Sequence, residues 1–502
     1  MKILLVGSGG REHALAKLLF NSALKPRLFV LADYVNPGLK REAEASGGKL
    51  YTGDTVNPLE VARIADLVSP DIIVVGPEEP QFTGVVDVLR EKGYSVFGAL
   101  SKTSMIERSK VFARTLMWKH SIPGRLYFKA FKNLEEAYEY LKHAGDVVLK
   151  PARQAGGKGV RVIRDTRAYL TSDKTDVKIQ AASKIFDELS RYQDIEYKII
   201  IEQRVEGVEY TAQVITDGSS ILPLPLVQDN PHAFEGDLGP ETGGMGGISG
   251  PGFLLPFITS DEFNTTIDII QKVLRALEVE VGEKYTGVIA GQMMLTPIQG
   301  PTVIEFYSRF GDPEIGCLIP RIESDFLEII ERTVSGRLAG AKLEVKDNVV
   351  SIVKAVAPVG YPSSRKEALG HPVSINEKAI NELGCIVLYA SVEEVGSVLY
   401  TKGSRVFEIV CYGENYNEVY KRSLIALTHI ESLDGWPLFY RRDIGSPEQI
   451  NERIKLAEKA RQTYTYRASR GLVNESIVWI PGKGVVENML FSTLTSSRGG
   501  FE

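Results

Sequence analysis

Through the first hundred residues, short apolar runs stopped by glycine or proline alternate with stretches of helical spacing. Ile3–Val6 reads as a buried strand closed by Gly7, and Arg11–Phe20 follows with Ala14, Leu15, Leu18 and Leu19 at helical intervals. Leu28–Leu31, Ile72–Val75 and Ser95–Phe97 read as further strands, the last two ended by Gly76 and Gly98. Continuous apolar runs separated by helices predict a parallel sheet covered on both faces. Ligands of such sheets bind at the carboxyl ends of the strands. Gly7-Ser-Gly-Gly-Arg-Glu-His13 and Gly76-Pro-Glu-Glu-Pro80 fall there.

The pattern then changes. A helix is expected over Lys102–Leu116. Val147–Lys150 and Val160–Ile163 predict a hairpin around Ala155-Gly-Gly-Lys-Gly159, and the charged stretch Thr166–Asp194 predicts helix. Ile199–Glu202, Glu209–Thr216, Val288–Leu295 and Thr302–Phe306 read as strands, the last two as an antiparallel pair. Beyond Leu338, strands at Val349–Ala357, Ile386–Ser391, Val398–Thr401 and Val406–Tyr412 with a helix at Tyr416–Ile430 predict a compact α+β unit. A polar helix over Pro447–Arg470, a small strand at Ile477–Ile480 and a frayed end at 492–500 complete the chain. No internal repeat is visible.

Length and composition narrow the class. At 502 residues the chain has room for about three or four domains and for more than one core, which rules out disorder as its overall state. The 43% hydrophobic and 25% charged content is that of a folded soluble chain. A net charge of −5 argues against a nucleic-acid-coating surface while leaving room for local basic pockets. Cys317, Cys385 and Cys411 are far apart and form no CxxC pair, so neither a disulfide framework nor a thiolate zinc site is expected. No signal peptide and no membrane-length apolar run is visible. A cytoplasmic, reducing setting follows as the expectation.

Several residue groups could carry chemistry. Gly7-x-Gly9 after a strand is open to three uses: a dinucleotide site, an anion-binding helix start, or a plain strand-to-helix turn. Glu12 stands where the dinucleotide fingerprint needs glycine, although Asp33 sits where a ribose-binding acid would. Lys110, Lys150 and the loop Gly156-Gly157-Lys158-Gly159 could neutralise a triphosphate from several directions, although no GxxxxGK[ST] motif is present. Glu202 closes an apolar strand and Glu209 follows it, which suits adenine-edge and ribose contacts. Glu305, with Arg309, Asp312 and Glu314 close behind, suits a divalent cation and phosphoryl oxygens. A structural acid paired with arginine is the alternative for Glu305.

Lys110, Lys150, the glycine loop, Glu202, Glu209 and Glu305, in that order, resemble the ATP-grasp superfamily. Gly9-Gly-Arg-Glu-His-Ala14, Val75-Gly-Pro-Glu78, Gly84-Val-Val-Asp87, Gln228-Asp229, Thr242-Gly-Gly-Met-Gly246 and Arg309-Phe-Gly-Asp-Pro-Glu314 resemble the phosphoribosylamine–glycine ligase (glycinamide ribonucleotide synthetase) family, to about Gly445. The resemblance implies an N-terminal α/β substrate-binding domain over 1–101 and an ATP-grasp domain over 102–335 with a lid near 115–194. A small α+β domain over 336–445 and an additional tail over 446–502 would follow. It implies ligation of glycine to 5-phosphoribosylamine through a glycyl phosphate, with ATP and Mg²⁺ or Mn²⁺. By the same resemblance Lys110, Lys150, Gly156, Gly157, Lys158, Gly159, Glu202, Val205 and Glu209 would hold ATP, and Glu305 and Tyr307 the metal. Gly9, Gly10, Arg11, Glu12, Pro77, Glu78, Asp229, Thr242, Gly243, Gly244, Met245 and Asp312 would hold substrates, and Arg309, Asp229 and Lys158 would act in catalysis.

The chain departs from the family's pattern near this site. Arg153-Gln154 stands for the usual Asp-Gly, Asn230-Pro231-His232 for His-Lys-Arg, Glu241 for Asn, and Tyr307 for the Asn of the metal pair. A phenol is a poor neutral ligand for Mg²⁺. The alternatives are therefore a ligase for another amino acid or amine and a weakened nucleotide-binding paralogue. Neither nucleic acid nor membrane is an expected partner, and the sequence leaves the oligomeric state open.

Overall fold

The computed structural model describes residues 1–142, 144, 146–154, 160–163, 196–470, 477–480 and 484–487. The glycine loop 155–159, the expected helix 166–194, His143 and the end at 492–500 lie outside them. Internal contacts divide the chain into two units. One comprises Met1–Met105, Glu209–Gln292 and Phe306–Ile454, the other Ile106–Val208, Met293–Glu305 and Lys455–Glu502.

In the first unit, strands Lys49–Thr52, Arg27–Ala32, Lys2–Val6, Ile72–Val75 and Val96–Phe97 lie side by side in that order, all parallel. Both faces are covered, as the unbroken apolar runs require. Leu5, Leu15, Leu19 and Val30 pack into one core, and Leu4, Val6, Val61 and Val85 into another. A mostly antiparallel sheet runs Val208–Thr216, Val227–Asp229, Gly246–Ser249, Val350–Pro358, Phe407–Gly413, Cys385–Tyr389. The strands read as a C-terminal α+β unit thus continue the sheet that carries Asp229 and Gly246. Four more strands order Val392–Val395, Val398–Lys402, Leu369–Ile375, Ile430–Ser432.

The second unit has a four-stranded antiparallel sheet ordered Phe128–Phe131, Ile199–Gln203, Val147–Pro151, Arg161–Ile163. The expected hairpin around the glycine loop is the Val147–Pro151/Arg161–Ile163 pair. Leu149, Ile199 and Ile201 bury its inner face against helix Leu134–Leu141. Strand Ile477–Ile480 pairs with Gly484–Glu487.

Three expectations are corrected. The helix expected over Lys102–Leu116 is two, Met105–Arg108 and Lys110–Lys119, because Ser109 leaves the helix to cap the second by accepting from the Phe112 N–H at 3.2 Å. The helix expected through Ile430 ends at Leu427, and Ile430–Ser432 is a strand paired with Leu369–Ile375. Cys385 and Cys411 form a disulfide against the expectation of none. They face each other across adjacent strands with Cα atoms 4.1 Å apart, a juxtaposition set by register rather than by sequence spacing. Cys317 is free and buried. No helix among the described residues is long and apolar enough to cross a membrane.

Candidate functional site

At the carboxyl end of Lys2–Val6 the chain turns at Gly7, whose φ is +131° and where a Cβ would strike Glu12 and Pro77. Glu12 explains why the third glycine of a dinucleotide fingerprint is missing. Its carboxylate accepts from the Gly9 N–H at 2.7 Å and from Arg11 Nε at 2.8 Å, and it is 2% exposed. It organises the loop from inside. Asp33 is likewise engaged locally, by Ser8 at 3.0 Å and Thr55 at 2.8 Å.

Two arginines flank the acid at the start of the next loop. Glu78 opens helix Glu78–Phe82 after Pro77; it lies 3.7 Å from Arg11 Nη2 and 3.4 Å from Arg309 Nε. Burial raises its pKa, but the Arg309 and Arg11 guanidiniums outweigh that and hold it below the usual range. Arg11 donates to the Phe310 carbonyl at 3.2 Å and Arg309 to the same carbonyl at 3.3 Å. Residues 9–12, 78 and 309 thus converge, as the sequence motifs suggest.

A second cluster in the same unit holds Asp229, Asp312, Glu314, Arg405 and Glu408. The loop Thr242–Gly246 is folded on itself: Gly244 N–H donates to Thr242 Oγ1 at 3.0 Å, and Gly243 N–H to the Tyr361 hydroxyl at 3.0 Å. Gly244 has φ +104°, and a Cβ there would strike Asp229 Oδ1. Met245 is fully buried, with its N–H donated to the Asn230 carbonyl at 2.8 Å. Arg405 Nη1 donates to the carbonyls of Gly243, Gly244 and Asp312, each at 2.8 Å, and Nη2 to Asp312 Oδ2 at 2.6 Å. Burial raises the pKa of Asp229, with Glu314 and Glu209 adding to it. Burial and neighbouring Asp312 likewise raise that of Glu408. Burial also raises the Asp312 pKa, but Arg405 outweighs it and keeps that carboxylate ionised. The result is a buried cluster of acids in which Asp229 and Glu408 are pushed toward the protonated form while Asp312 is held toward the ionised one.

In the second unit, Lys150 Nζ lies 2.8 Å from Glu202, and Arg114 Nε 2.7 Å from the other oxygen of the same carboxylate. Arg114 also donates to the Val303 and Ile304 carbonyls. Burial raises the Glu202 pKa, but Arg114 and Lys150 bring it down to about 2. Lys110, on the first turn of its helix, reaches Gln154 Oε1 at 3.3 Å and Glu305 at 3.6 Å. Burial lowers its pKa, with Glu305 opposing. Gln154 in turn donates to Glu107 at 3.4 Å. Lys110, Lys150, Glu202 and Glu305 are therefore brought together as two cation–carboxylate pairs. Val205 is half-buried just past strand Ile199–Gln203. Glu209, expected at the nucleotide, belongs to the first unit and acts electrostatically on Asp229. Lys158, Gly156, Gly157 and Gly159 lie outside the described residues.

Tyr307 carries the Arg309 guanidinium 4.3 Å over its ring. Among the described residues no three His, Cys, Asp or Glu side chains gather into a ready metal cage. The donor set still fits Mg²⁺ in its usual form, with one carboxylate, Glu305, and the remaining positions left to water and substrate phosphates. Arg405, Glu408 and Arg114 escaped the sequence reading. For Glu408 a signal existed, a lone carboxylate inside the apolar strand Phe407–Gly413.

Three domain families match the chain: Phosphoribosylglycinamide synthetase, N domain, over residues 1–107; Phosphoribosylglycinamide synthetase, ATP-grasp (A) domain, over 108–315; and Phosphoribosylglycinamide synthetase, C domain, over 351–447. A phosphoribosylamine–glycine ligase of Pyrococcus furiosus is 37% identical over 462 residues, spanning 92% of this chain and 98% of the relative. The crystal structure of the phosphoribosylamine–glycine ligase of Thermotoga maritima superposes with a TM-score of 0.69 at 25% identity, over 88% of this chain and 100% of that one. The biotin carboxylase domain of Hydrogenobacter thermophilus 2-oxoglutarate carboxylase, solved with MgADP and bicarbonate, shares the fold. Its TM-score is 0.62 at 16% identity, over 94% of this chain and 97% of that one.

Proposed function

The chain belongs to the phosphoribosylglycinamide synthetase family, and from that premise we propose how its residues divide the work of an ATP-dependent ligase. The reaction joins glycine to 5-phosphoribosylamine, giving glycinamide ribonucleotide, ADP and phosphate in purine biosynthesis. The enzyme works in the cytoplasm in this reading, and the substrate, ATP-grasp, C-terminal and tail segments follow the boundaries 1–101, 102–335, 336–445 and 446–502.

A carboxylate is a poor electrophile until one oxygen becomes a leaving group. Glycine's carboxylate therefore takes the γ-phosphoryl of ATP, and the amine of phosphoribosylamine attacks the resulting glycyl phosphate and expels phosphate. Little covalent work is left to the protein beyond positioning and charge neutralisation. Lys110, Lys150 and Lys158 neutralise ATP phosphates, to which Gly156, Gly157 and Gly159 contribute backbone N–H groups, while Glu202 holds Lys150 in place through its own bond to Arg114. Glu305 would hold Mg²⁺ or Mn²⁺, which supplies positive charge to the phosphoryl oxygens. Gly9, Gly10 and Arg11 with Pro77 and Glu78 take phosphoribosylamine. Asp229, Thr242–Met245 and Asp312 take glycine, with Arg309 stabilising the charge that develops on the phosphoryl group. Asp229 accepts the proton that the attacking amine must lose. Arg405 is added to this set as the residue that ties the 243–244 carbonyls to Asp312.

The observation that carries the reading is the placement of Glu78 between Arg11 and Arg309 at the carboxyl end of a parallel sheet. The test is phosphate release from ATP, Mg²⁺ or Mn²⁺ and glycine, with and without freshly generated 5-phosphoribosylamine. Release that needs both acceptors, with glycinamide ribonucleotide detected by mass, is expected from the parent and lost in Glu305→Ala. Release with a different amino acid or amine alone would overturn the substrate assignment.

A further inference from the structure

The matched C domain ends at residue 447, yet the helix that starts there, Pro447–Ala468, bonds through Gln449 to Asn230, the residue after Asp229. Gln449 is 6% exposed and Asn230 1%. Gln449 Nε2 donates to Asn230 Oδ1 at 3.1 Å, while Gln449 Oε1 accepts from the Gly445 N–H at 3.0 Å. Asn230 passes the constraint on. Its N–H donates to the Gly246 carbonyl at 3.0 Å, its Nδ2 reaches the same carbonyl at 3.3 Å, and its own carbonyl accepts from the Met245 N–H at 2.8 Å. One residue further, Pro231 accepts from Thr242 N–H and from Thr242 Oγ1, both at 2.7 Å. Both ends of the loop Thr242–Gly246 therefore hang on the segment after Asp229, and the Asn230 side chain is held between the Gly246 carbonyl and Gln449. The hairpin that joins these two segments is pinned to the same helix by the Arg453–Asp237 ion pair.

We propose that Gln449 is a positioning residue for the ligation: its amide locks Asn230, which sets Asp229 and the loop Thr242–Gly246 in the geometry that receives glycine. The inference rests on the assignment of glycine to that loop. The match is chemical. An amide both gives a proton to Asn230 and takes one from Gly445, and no carboxylate or alkyl side chain does both. The two residues are also each tied to a departure noted in the sequence, Asn230 where the family's pattern has histidine and Gln449 in the segment beyond the matched domain. Because catalysis by positioning is sensitive to sub-ångström displacements, a loosened Asn230 acts on glycine use before it acts on folding.

The test is a steady-state comparison of the full-length parent, Gln449→Leu, Gln449→Glu, Asn230→Ala, the double variant Gln449→Leu/Asn230→Ala, and Asp229→Asn. The expected result is a rise of about tenfold in KM for glycine in each single Gln449 or Asn230 variant, with KM for ATP within about twofold of the parent. The double variant is expected to be no worse than the worse single, since both cut the same link. Gln449→Glu keeps the acceptor for Gly445 and the start of the helix, so it reports even where Gln449→Leu fails to fold. Equal rises in both KM values, an unchanged KM for glycine, or losses that multiply in the double variant would each overturn the proposal. Asp229→Asn separates the two levels. If it leaves KM for glycine untouched, the glycine assignment itself falls and takes the proposal with it; if it raises KM while Gln449→Glu does not, only the link through Gln449 falls.

Discussion

The guanidinium of Arg309 lies 4.3 Å from the centre of the Tyr307 ring, so the residue that replaces the expected metal-binding amide serves as a platform for an arginine. A cation over an aromatic face gains about 0.5–2 kcal/mol, depending on how dry the site is. Tyr307→Phe keeps that face and is expected to retain activity within about twofold. Tyr307→Asn removes it and is expected to cost about tenfold in kcat, equivalent to about 1.4 kcal/mol. The same variant supplies a neutral oxygen ligand, so the Mg²⁺ concentration for half-maximal rate falls. Mg²⁺ titrations of the parent and both variants check this. A phenylalanine variant as impaired as the asparagine one would show that the hydroxyl, not the ring, matters.

Asp229 predicts an acid limb in the pH–rate profile. Burial raises its pKa well above the ordinary value, and Glu314 and Glu209 add to the rise. A protonated carboxyl cannot accept the proton of the attacking amine, so kcat/KM is expected to fall as pH drops through that raised pKa. Asp229→Asn is expected to lower the rate by about a hundredfold or more and to flatten the limb. A limb of unchanged position in the variant assigns it to another group.

Glu202 predicts acid sensitivity of the second unit. Burial alone would raise its pKa, but Arg114 and Lys150 bring it from 4.5 down to about 2. A depressed carboxylate pKa contributes stability that is complete above the unfolded value and is lost as pH falls through the folded one. The window is therefore about pH 4.5 to 2, and the contribution at neutral pH is about 3 kcal/mol. Glu202→Gln is expected to destabilise by about 3–5 kcal/mol at pH 7, because Arg114 and Lys150 then lie buried without their carboxylate. Its loss of stability between pH 4.5 and 2 should be shallower than the parent's. Urea denaturation across that range decides the matter.

Much of the site was legible because its chemistry is local. The strands ending at Gly7 and Gly76, and the acids and lysines at strand ends, are signals that a few consecutive residues carry by themselves. What escaped depends on chain segments meeting from far apart. Arg405 belongs to the acid cluster only because Val350–Pro358 pairs with Gly246–Ser249 on one side and with Phe407–Gly413 on the other. The Cys385–Cys411 bridge is likewise a consequence of strand register. The helix Ser260–Val281 is a different kind of miss. Its signal is local, with Thr259 and Glu262 forming a reciprocal cap and Gly282 at φ +72° ending it, and it carries no chemistry of the site. The departures Asn230 and Tyr307 were visible as anomalies. Arg309, two residues on, gives Tyr307 a physical reason from within the same stretch, whereas the partner of Asn230, Gln449, lies far along the chain.

Lys354 gives a prediction whose sign depends on pH. It is fully buried, and its ammonium donates to the carbonyls of Arg441, Arg442 and Ile444 at 3.2, 2.9 and 2.6 Å. These carbonyls precede the helix that carries Gln449, so the lysine fixes the approach to that helix. Burial lowers its pKa from 10.5 to about 7, with Asp443 opposing. Between those values the unfolded chain binds the proton and the folded one does not, so stability rises with pH across the window. Below about pH 7 both states are protonated and the cost of burying the charge is present in full. Lys354→Met has no such group. It is expected to be less stable than the parent by about 2 kcal/mol at pH 9, where the carbonyls lose their donor, and nearly as stable at pH 6, where the parent also bears a buried charge. Urea denaturation of both proteins at the two pH values measures the gap. A gap that widens on acidification would mean that the carbonyls hold the lysine charged at no net cost, and that its role is to bind the segment rather than to titrate.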